Sequence, residues 1–391
     1  MNRPVYSWAE EALEKIENLG LYRKTRKMES SPAGSVVIGR KEMIMASSNN
    51  YLGLASHPET ISAAAGAVLQ FGVGSSGSRL TTGTSPWHEE LELKIAAYKR
   101  TDAALLFSSG YLANIGVIST IAGEEDIILS DELNHASLID GCRLSKAKTS
   151  IYRHTDMLHL EALLTGAKHF QNRFIVTDGV FSMDGDIAPL PEITRLAKKY
   201  KAYVIVDDAH GTGVLGDTGR GTPEYFQEAV DLSIGTLSKA IGTEGGFAAG
   251  SRILIELLRN RARTFIFQTA LPPASAAAAL AAIEIMDKEP ERLQQLQRNI
   301  RFLQERLASL GFSVSEHPTP ILPIFIGEAK AAVHFAEILD DEGIYAPAIR
   351  PPTVPEGKSR IRVTVMADHT IDQLQKVCAA FQKAGRELEL I

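Results

Sequence analysis

Short apolar runs bounded by turn residues recur along the chain, and helical patterns fill most of the gaps between them. The runs are AALLFS (103–108), DIILSD (126–131), RFIVTD (173–178), AYVIVDD (202–208), DLSIGTL (231–237) and GFAAG (246–250). The spacers include PWHEELELKIAAYK (86–99) and LPEITRLAKKYK (190–201). Strands alternating with helices predict βαβ units and a mostly parallel sheet with both faces covered, an α/β fold. Upstream, residues 7–19 predict an amphipathic helix with Trp8, Ala12, Leu13, Ile16 and Leu19 near one face. The texture changes near 287. A long charged helix runs to Gly311, a good C-terminal stop. ILPIFIG, a helix near 329–342, GIYAPAI, SRIRVTV and a last helix from about 370 follow, and read as a smaller α+β unit. The expected organisation is an N-terminal helix and arm (1–45), a large α/β domain (46–286) and a small C-terminal domain (287–391).

Composition narrows the function classes. The 391 residues are 45% hydrophobic and 23% charged, ordinary values for a globular chain able to bury a large core. A formal charge of −6, with no basic run of useful length, argues against a nucleic-acid partner. Cys142 and Cys378 lie far apart, which fits a reducing cytosol, and they form no metal pattern. The N-terminal stretch is charged and lacks an apolar core, so no secretory signal is expected. ALPPASAAAALAAIEIM (270–286) is too short and too weak for a membrane span and predicts a buried helix. No metal site and a cytoplasmic location are the expectations.

In open α/β sheets, ligands bind outside the carboxyl ends of the strands. Five such ends are followed by SGYLAN, ELNHAS, GVFSMDGD, DDAHGTG and SKAIGTEGG. They deliver Gly110, Tyr111, His135, Ser182, Asp207, His210, Thr236, Ser238 and Lys239 to one rim. An average lysine is a solvated surface group. Lys239 differs, because its neighbours are small and no acidic residue stands within four positions to form a helical ion pair. A desolvated lysine has a depressed pKa and acts as a nucleophile or forms a Schiff base. The segment lacks the G-x-x-x-x-G-K-[ST] loop, so nucleoside triphosphate hydrolysis is a poor reading. VIVDD ends a strand on two aspartates whose side chains point to opposite faces, so one enters the site; spacing leaves open which. A carboxylate near a lysine suits a protonated ring nitrogen, the arrangement that pyridoxal phosphate needs. The glycine-rich turn SGYLAN, opening a helix, offers N–H groups to an anion. His88 in WHEELE reads as a structural helix start.

Together these motifs resemble the α-oxoamine synthase family of fold-type I pyridoxal 5'-phosphate enzymes. SSNNYLGL, GSSGSRLTTG, LFSSGYLAN, NHASLIDG, TDGVFSMDGD, VDDAHGTG, GTLSKAIG and AIRPPTVPEGKSRIRVT carry the likeness over most of the chain. The resemblance implies a seven-stranded sheet in the large domain and a homodimer with its site at the subunit interface. It implies that Lys239 carries the cofactor and later moves the α-proton. Asp207 pairs with the ring nitrogen, His135 stacks on the ring, and His210 and Ser182 serve the ring oxygen or the lysine end. Gly110, Tyr111, Thr236 and Ser238 hold the phosphate, with Thr269 reaching the phosphate of the partner subunit. Arg362 binds the amino-acid carboxylate, and Arg23, Asn49, Arg350 and Thr353 line the substrate site. Family members condense a small amino acid with an acyl thioester. AIRPPTVP is most similar to those joining L-alanine to a pimeloyl thioester, carried on CoA or acyl carrier protein. LNHASLIDGCRLSKAK is closer to those using glycine and acetyl-CoA.

Overall fold

The computed structural model describes residues 6–31 and 33–391. Its central feature is a seven-stranded sheet. Across the sheet the strands run Ala103–Phe107, Gly246–Gly250, Leu232–Thr236, Tyr203–Asp207, Arg173–Asp178, Ile127–Asp131 and Lys148–Tyr152. Gly246–Gly250 is antiparallel to both neighbours, and the other neighbouring pairs are parallel. Successive side chains alternate between the faces. Val176 and Ile205 join the apolar cluster on one side, and Ile175, Val204 and Val206 join the cluster on the other. Each of these side chains, fully buried, contributes about 1.5–3 kcal/mol.

Six of the seven strands coincide with the apolar runs. The seventh, Lys148–Tyr152, occupies an edge and buries only Tyr152. An edge strand with so little apolar surface leaves no hydrophobic signature in the sequence.

The C-terminal unit is built on an antiparallel sheet ordered Ile321–Gly327, Ser359–Thr364, Ala348–Ile349. Glu291–Ser309, Ala329–Asp341 and Ile371–Glu387 are its helices. A hairpin of Ser35–Ile38 and Lys41–Met45 extends this unit, because Lys41–Met45 pairs in parallel with Ile344–Tyr345. Residues 35–45, expected in an N-terminal arm, therefore belong by pairing to the C-terminal half. One continuous apolar cluster joins Leu91, Leu106 and Leu237 of the large unit to Leu296, Phe335 and Phe381 of the small one.

The helix Ser7–Asn18 forms as its periodicity predicts, but none of its residues is buried against the chain. Pro273–Lys288 is a helix buried along its alanines. Among the described residues no helix is long and apolar enough to cross a membrane.

Candidate active site

The strand ends and the first turn of the helix Gly110–Ile121 enclose a cavity of about 270 Å³. Gly110, Tyr111, His135, Asp207, His210, Thr236, Ser238 and Lys239 line it, joined by Ser109, Asn114, Ser137, Asp178, Ala209 and Glu244. The fold achieves this by register. Tyr203–Asp207 and Arg173–Asp178 lie side by side with Asp207 opposite Asp178. The next strand inward, Leu232–Thr236, ends three residues before Lys239. Glycine lets the helix start approach that strand end. A Cβ on Gly110 would stand 2.9 Å from Thr236 Cβ, closer than real side chains tolerate.

Asp207 is buried, with Oδ2 accepting from Asn114 Nδ2 at 2.6 Å and Oδ1 accepting from Ala209 N at 3.0 Å. Both of these donors are neutral groups. Its neighbour Asp178 accepts the His135 N–H at 2.6 Å. Burial and then the charge of Asp207 push Asp178 well above the usual carboxylate range. Burial lowers Lys239 to about 8, against the opposing pull of Asp207 and Asp178. Burial also lowers His135, whose Nδ1 lies 2.7 Å from Ser137 Oγ at the start of the helix Ala136–Leu144. His210 falls well below its ordinary value, first through burial and then through the charges of Lys239 and Arg362, and is a neutral imidazole. The other strand end of VIVDD points away: Asp208 is fully buried and paired with Lys99 at 2.7 Å. That resolves which aspartate enters the cavity.

A hydrogen-bonded chain leads from the cavity to the C-terminal sheet. His210 Nδ1 lies 2.7 Å from the Tyr51 hydroxyl, which donates to Asn49 Oδ1 at 3.1 Å. Arg362 Nη1 and Nη2 each donate to Asn49 Oδ1 at 3.2 Å, and Arg362 Nε donates to Ser182 O at 2.5 Å. Ser182 thus does not line the cavity; its carbonyl holds Arg362. Arg23, Arg350 and Thr353 assemble with one another instead. Arg23 Nη2 donates to Thr353 Oγ1 at 3.2 Å, and Arg350 donates to Gly20 O. None of the three lines the cavity around Lys239. Thr269 is exposed outside it, with its carbonyl accepting from Ser108 Oγ. Tyr111 is half exposed and donates to Asp140.

Asn114, Ser137, Asp178 and Tyr51 were not singled out from sequence. Asp178 was accessible to the same strand-end rule that found Asp207, since it closes RFIVTD. Asn114 stands four residues beyond Gly110, one helical turn further on the same face. Tyr51 meets His210 across 159 residues of sequence, and no local pattern announces that contact. His88 keeps the structural role its position suggests: it closes a capping box with Ser85 and lies 2.7 Å from Leu271 O.

The donor set fits pyridoxal phosphate. The N–H groups of a helix's first turn have no intrahelical partner and favour an anion. The Thr236 and Ser238 hydroxyls stand beside them, 2.7 Å apart. A buried carboxylate bonded only by neutral donors suits a cationic ring nitrogen. Asn114 Oδ1, next to it, is buried without a hydrogen-bond partner among the described residues.

Comparison with known proteins agrees with this geometry. The family model for aminotransferase class I and II matches residues 41–381. The 8-amino-7-oxononanoate synthase 2 of Bacillus subtilis (strain 168) is 56% identical over 385 residues, 98% of this chain and 99% of its own. A solved serine palmitoyltransferase from S. paucimobilis with bound PLP–myriocin aldimine superposes with a TM-score of 0.93 at 34% identity, over 100% of both chains. The 8-amino-7-oxononanoate synthase from Francisella tularensis gives a TM-score of 0.77 at 29% identity, over 89% of this chain and 99% of that one. The chain belongs to the aminotransferase class I and II family.

Proposed function

We propose that the protein is a pyridoxal 5'-phosphate-dependent acyltransferase of biotin biosynthesis. It condenses L-alanine with a pimeloyl thioester to give 8-amino-7-oxononanoate, CO2 and the free thiol carrier. The observation that carries the chemistry is Lys239, an amine with a depressed pKa, sharing one cavity with the buried Asp207. The identity of the acyl and amino-acid substrates rests on near full-length relatives of that name.

Bound in the cavity, the cofactor supplies an electron sink for the carbanion at the amino acid's Cα. Asp207 would hold its ring nitrogen, His135 its ring face, and Gly110, Tyr111, Thr236 and Ser238 its phosphate. Arg362 takes the alanine carboxylate in a charge-assisted, two-pronged hydrogen bond, which orients the Cα–H bond. Asn49 holds the guanidinium in place. Lys239, whose lowered pKa keeps a useful fraction of free amine near neutrality, removes the Cα proton. The Cα–C bond to the thioester carbonyl forms as the C–S bond breaks. The carboxylate then leaves as CO2, and Lys239 returns a proton to Cα. Neutral His210, tied to Tyr51, places a polarising group beside Lys239 without adding charge.

The active form is a homodimer. Thr269 is exposed outside its own chain's cavity, as a residue serving the partner subunit's phosphate would be. Phe267 beside it is 71% exposed, an apolar surface that a second copy would cover. Arg23, Arg350 and Thr353 form the outer end of the substrate path, where the acyl chain or its carrier enters. The reaction is tested by incubating purified protein with L-alanine and pimeloyl-CoA and following product by mass spectrometry. Product that forms with glycine and acetyl-CoA instead would reject the alanine–pimeloyl assignment.

A further inference from the structure

His154 lies two residues beyond the edge strand Lys148–Tyr152. Its Nδ1 is 2.9 Å from Asp131 Oδ1 and its Nε2 is 2.7 Å from Asp186 Oδ2. Carboxylates only accept, so both ring nitrogens donate and the ring is an imidazolium. Burial alone would lower its pKa; the bonds to Asp131 and Asp186 outweigh this and raise it to about 10. The Phe181 ring meets the imidazole edge-on, with centroids 4.4 Å apart. Asp131 is itself buried at a strand end and also accepts from Leu133 N and Thr155 N. The imidazolium therefore ties the rigid rim of the large sheet to the turn 181–186.

The far side of that turn serves the C-terminal sheet. Ser182 O accepts from Arg362 Nε at 2.5 Å. Met183 O and Asp184 Oδ1 accept from Arg360 Nη1 at 3.1 and 2.6 Å. Gly185 O accepts from Thr319 Oγ1 at 2.6 Å. Arg360 and Arg362 stand two apart on one strand and so share a face. The turn is a short spacer: one end is fixed by His154, and the other hands a carbonyl to the substrate arginine.

We propose that His154 is a positioning residue for substrate recognition: through Asp186 it fixes the turn 181–186, whose Ser182 carbonyl aims the Arg362 guanidinium at the carboxylate of the α-amino acid. This rests on the reading of Arg362 as the carboxylate-binding group. Glutamine at 154 is neutral and carries both its N–H donors on one nitrogen, so it does not reproduce the charge or the two separate donor positions of the imidazolium.

The test uses holoenzyme with His154→Gln, Asp186→Asn and, as reference, Arg362→Lys. The dissociation constant of L-alanine is read from the change in the cofactor's visible absorbance, and KM is measured separately for alanine and pimeloyl-CoA. His154→Gln is expected to weaken alanine about tenfold, the scale of losing one charge-assisted hydrogen bond, with KM for pimeloyl-CoA unchanged. Asp186→Asn should move the same constant in the same direction. An unchanged alanine constant in both variants, with Arg362→Lys weakening it, overturns the role of His154. Equal rises in both KM values with a fallen Tm also overturn it, since that is the signature of a merely structural residue. If Arg362→Lys leaves alanine binding intact, the reading of Arg362 fails first and the proposal falls with it. Should His154→Gln fail to fold, Asp186→Asn decides by the same criteria.

Discussion

The Tyr51 hydroxyl lies 2.7 Å from His210 Nδ1 and 3.5 Å from Arg362 Nη2. One phenol therefore joins the imidazole beside Lys239 to the arginine assigned to the substrate. Burial raises the Tyr51 pKa, against the pull of Arg362, so the phenol stays protonated throughout the working range. Replacing Tyr51 by Phe removes one hydrogen bond from each neighbour and leaves the packing. The loss of about 1 kcal/mol should lower kcat/KM for L-alanine roughly fivefold, with little change in Tm. Steady-state kinetics at fixed pimeloyl-CoA measure it; an unchanged value would show that the phenol only fills space.

Lys239→Ala should reduce turnover by at least about 10³-fold, because it removes the group that takes and returns the Cα proton. Folding should survive, since a partly buried amine with a depressed pKa favours the unfolded state. Product formation and circular dichroism on the same preparation check both halves.

Gly110→Ala tests the phosphate cradle. The added Cβ would lie 2.9 Å from Thr236 Cβ and 3.1 Å from Thr236 Oγ1. The helix start must shift away from the strand end, and the paired anion donors separate. Cofactor affinity is expected to fall about tenfold or more, on the scale of losing a hydrogen bond to a charged group. Titration of cofactor into stripped protein reads this directly, and wild-type affinity would remove Gly110 from the cradle.

His154 gives stability a pH signature. Its pKa is raised from 6.5 to about 10 by Asp131 and Asp186, so its contribution is full below about pH 6.5 and is lost as pH rises through about 10. The gap in Tm between wild type and His154→Gln should therefore be widest near pH 6 and close toward pH 10. Losing the charged hydrogen bonds of this partly buried imidazolium costs about 1.5–3 kcal/mol at the low-pH end. Calorimetry across that window follows it; a gap independent of pH would mean that the imidazole is not charged in the folded protein.

The central sheet was legible because six of its strands are buried on both faces and read as apolar runs, and their carboxyl ends marked the site. What was not legible lay in tertiary relations. Lys148–Tyr152 carries too little apolar surface to announce a strand. The stripe of Trp8, Leu13, Ile16 and Leu19 predicted a helix correctly, yet periodicity does not say what covers the stripe, and all four residues are exposed on this chain. Ser182 was placed by its position after a strand, but its carbonyl rather than its hydroxyl meets Arg362; backbone roles leave no trace in residue type. Asp178 obeys the rule that found Asp207, while its raised pKa depends on burial beside a second carboxylate. That arrangement appears only once the two strands are in register.

The identity of the lysine that carries the cofactor is tested most directly by trapping. Holoenzyme is reduced with borohydride, digested and examined by peptide mass spectrometry. A pyridoxyl phosphate adduct on the peptide containing Lys239, and its loss in Lys239→Ala, is the expected result. An adduct on another lysine, or none in an active preparation, would contradict the assignment of Lys239 and the site built around it.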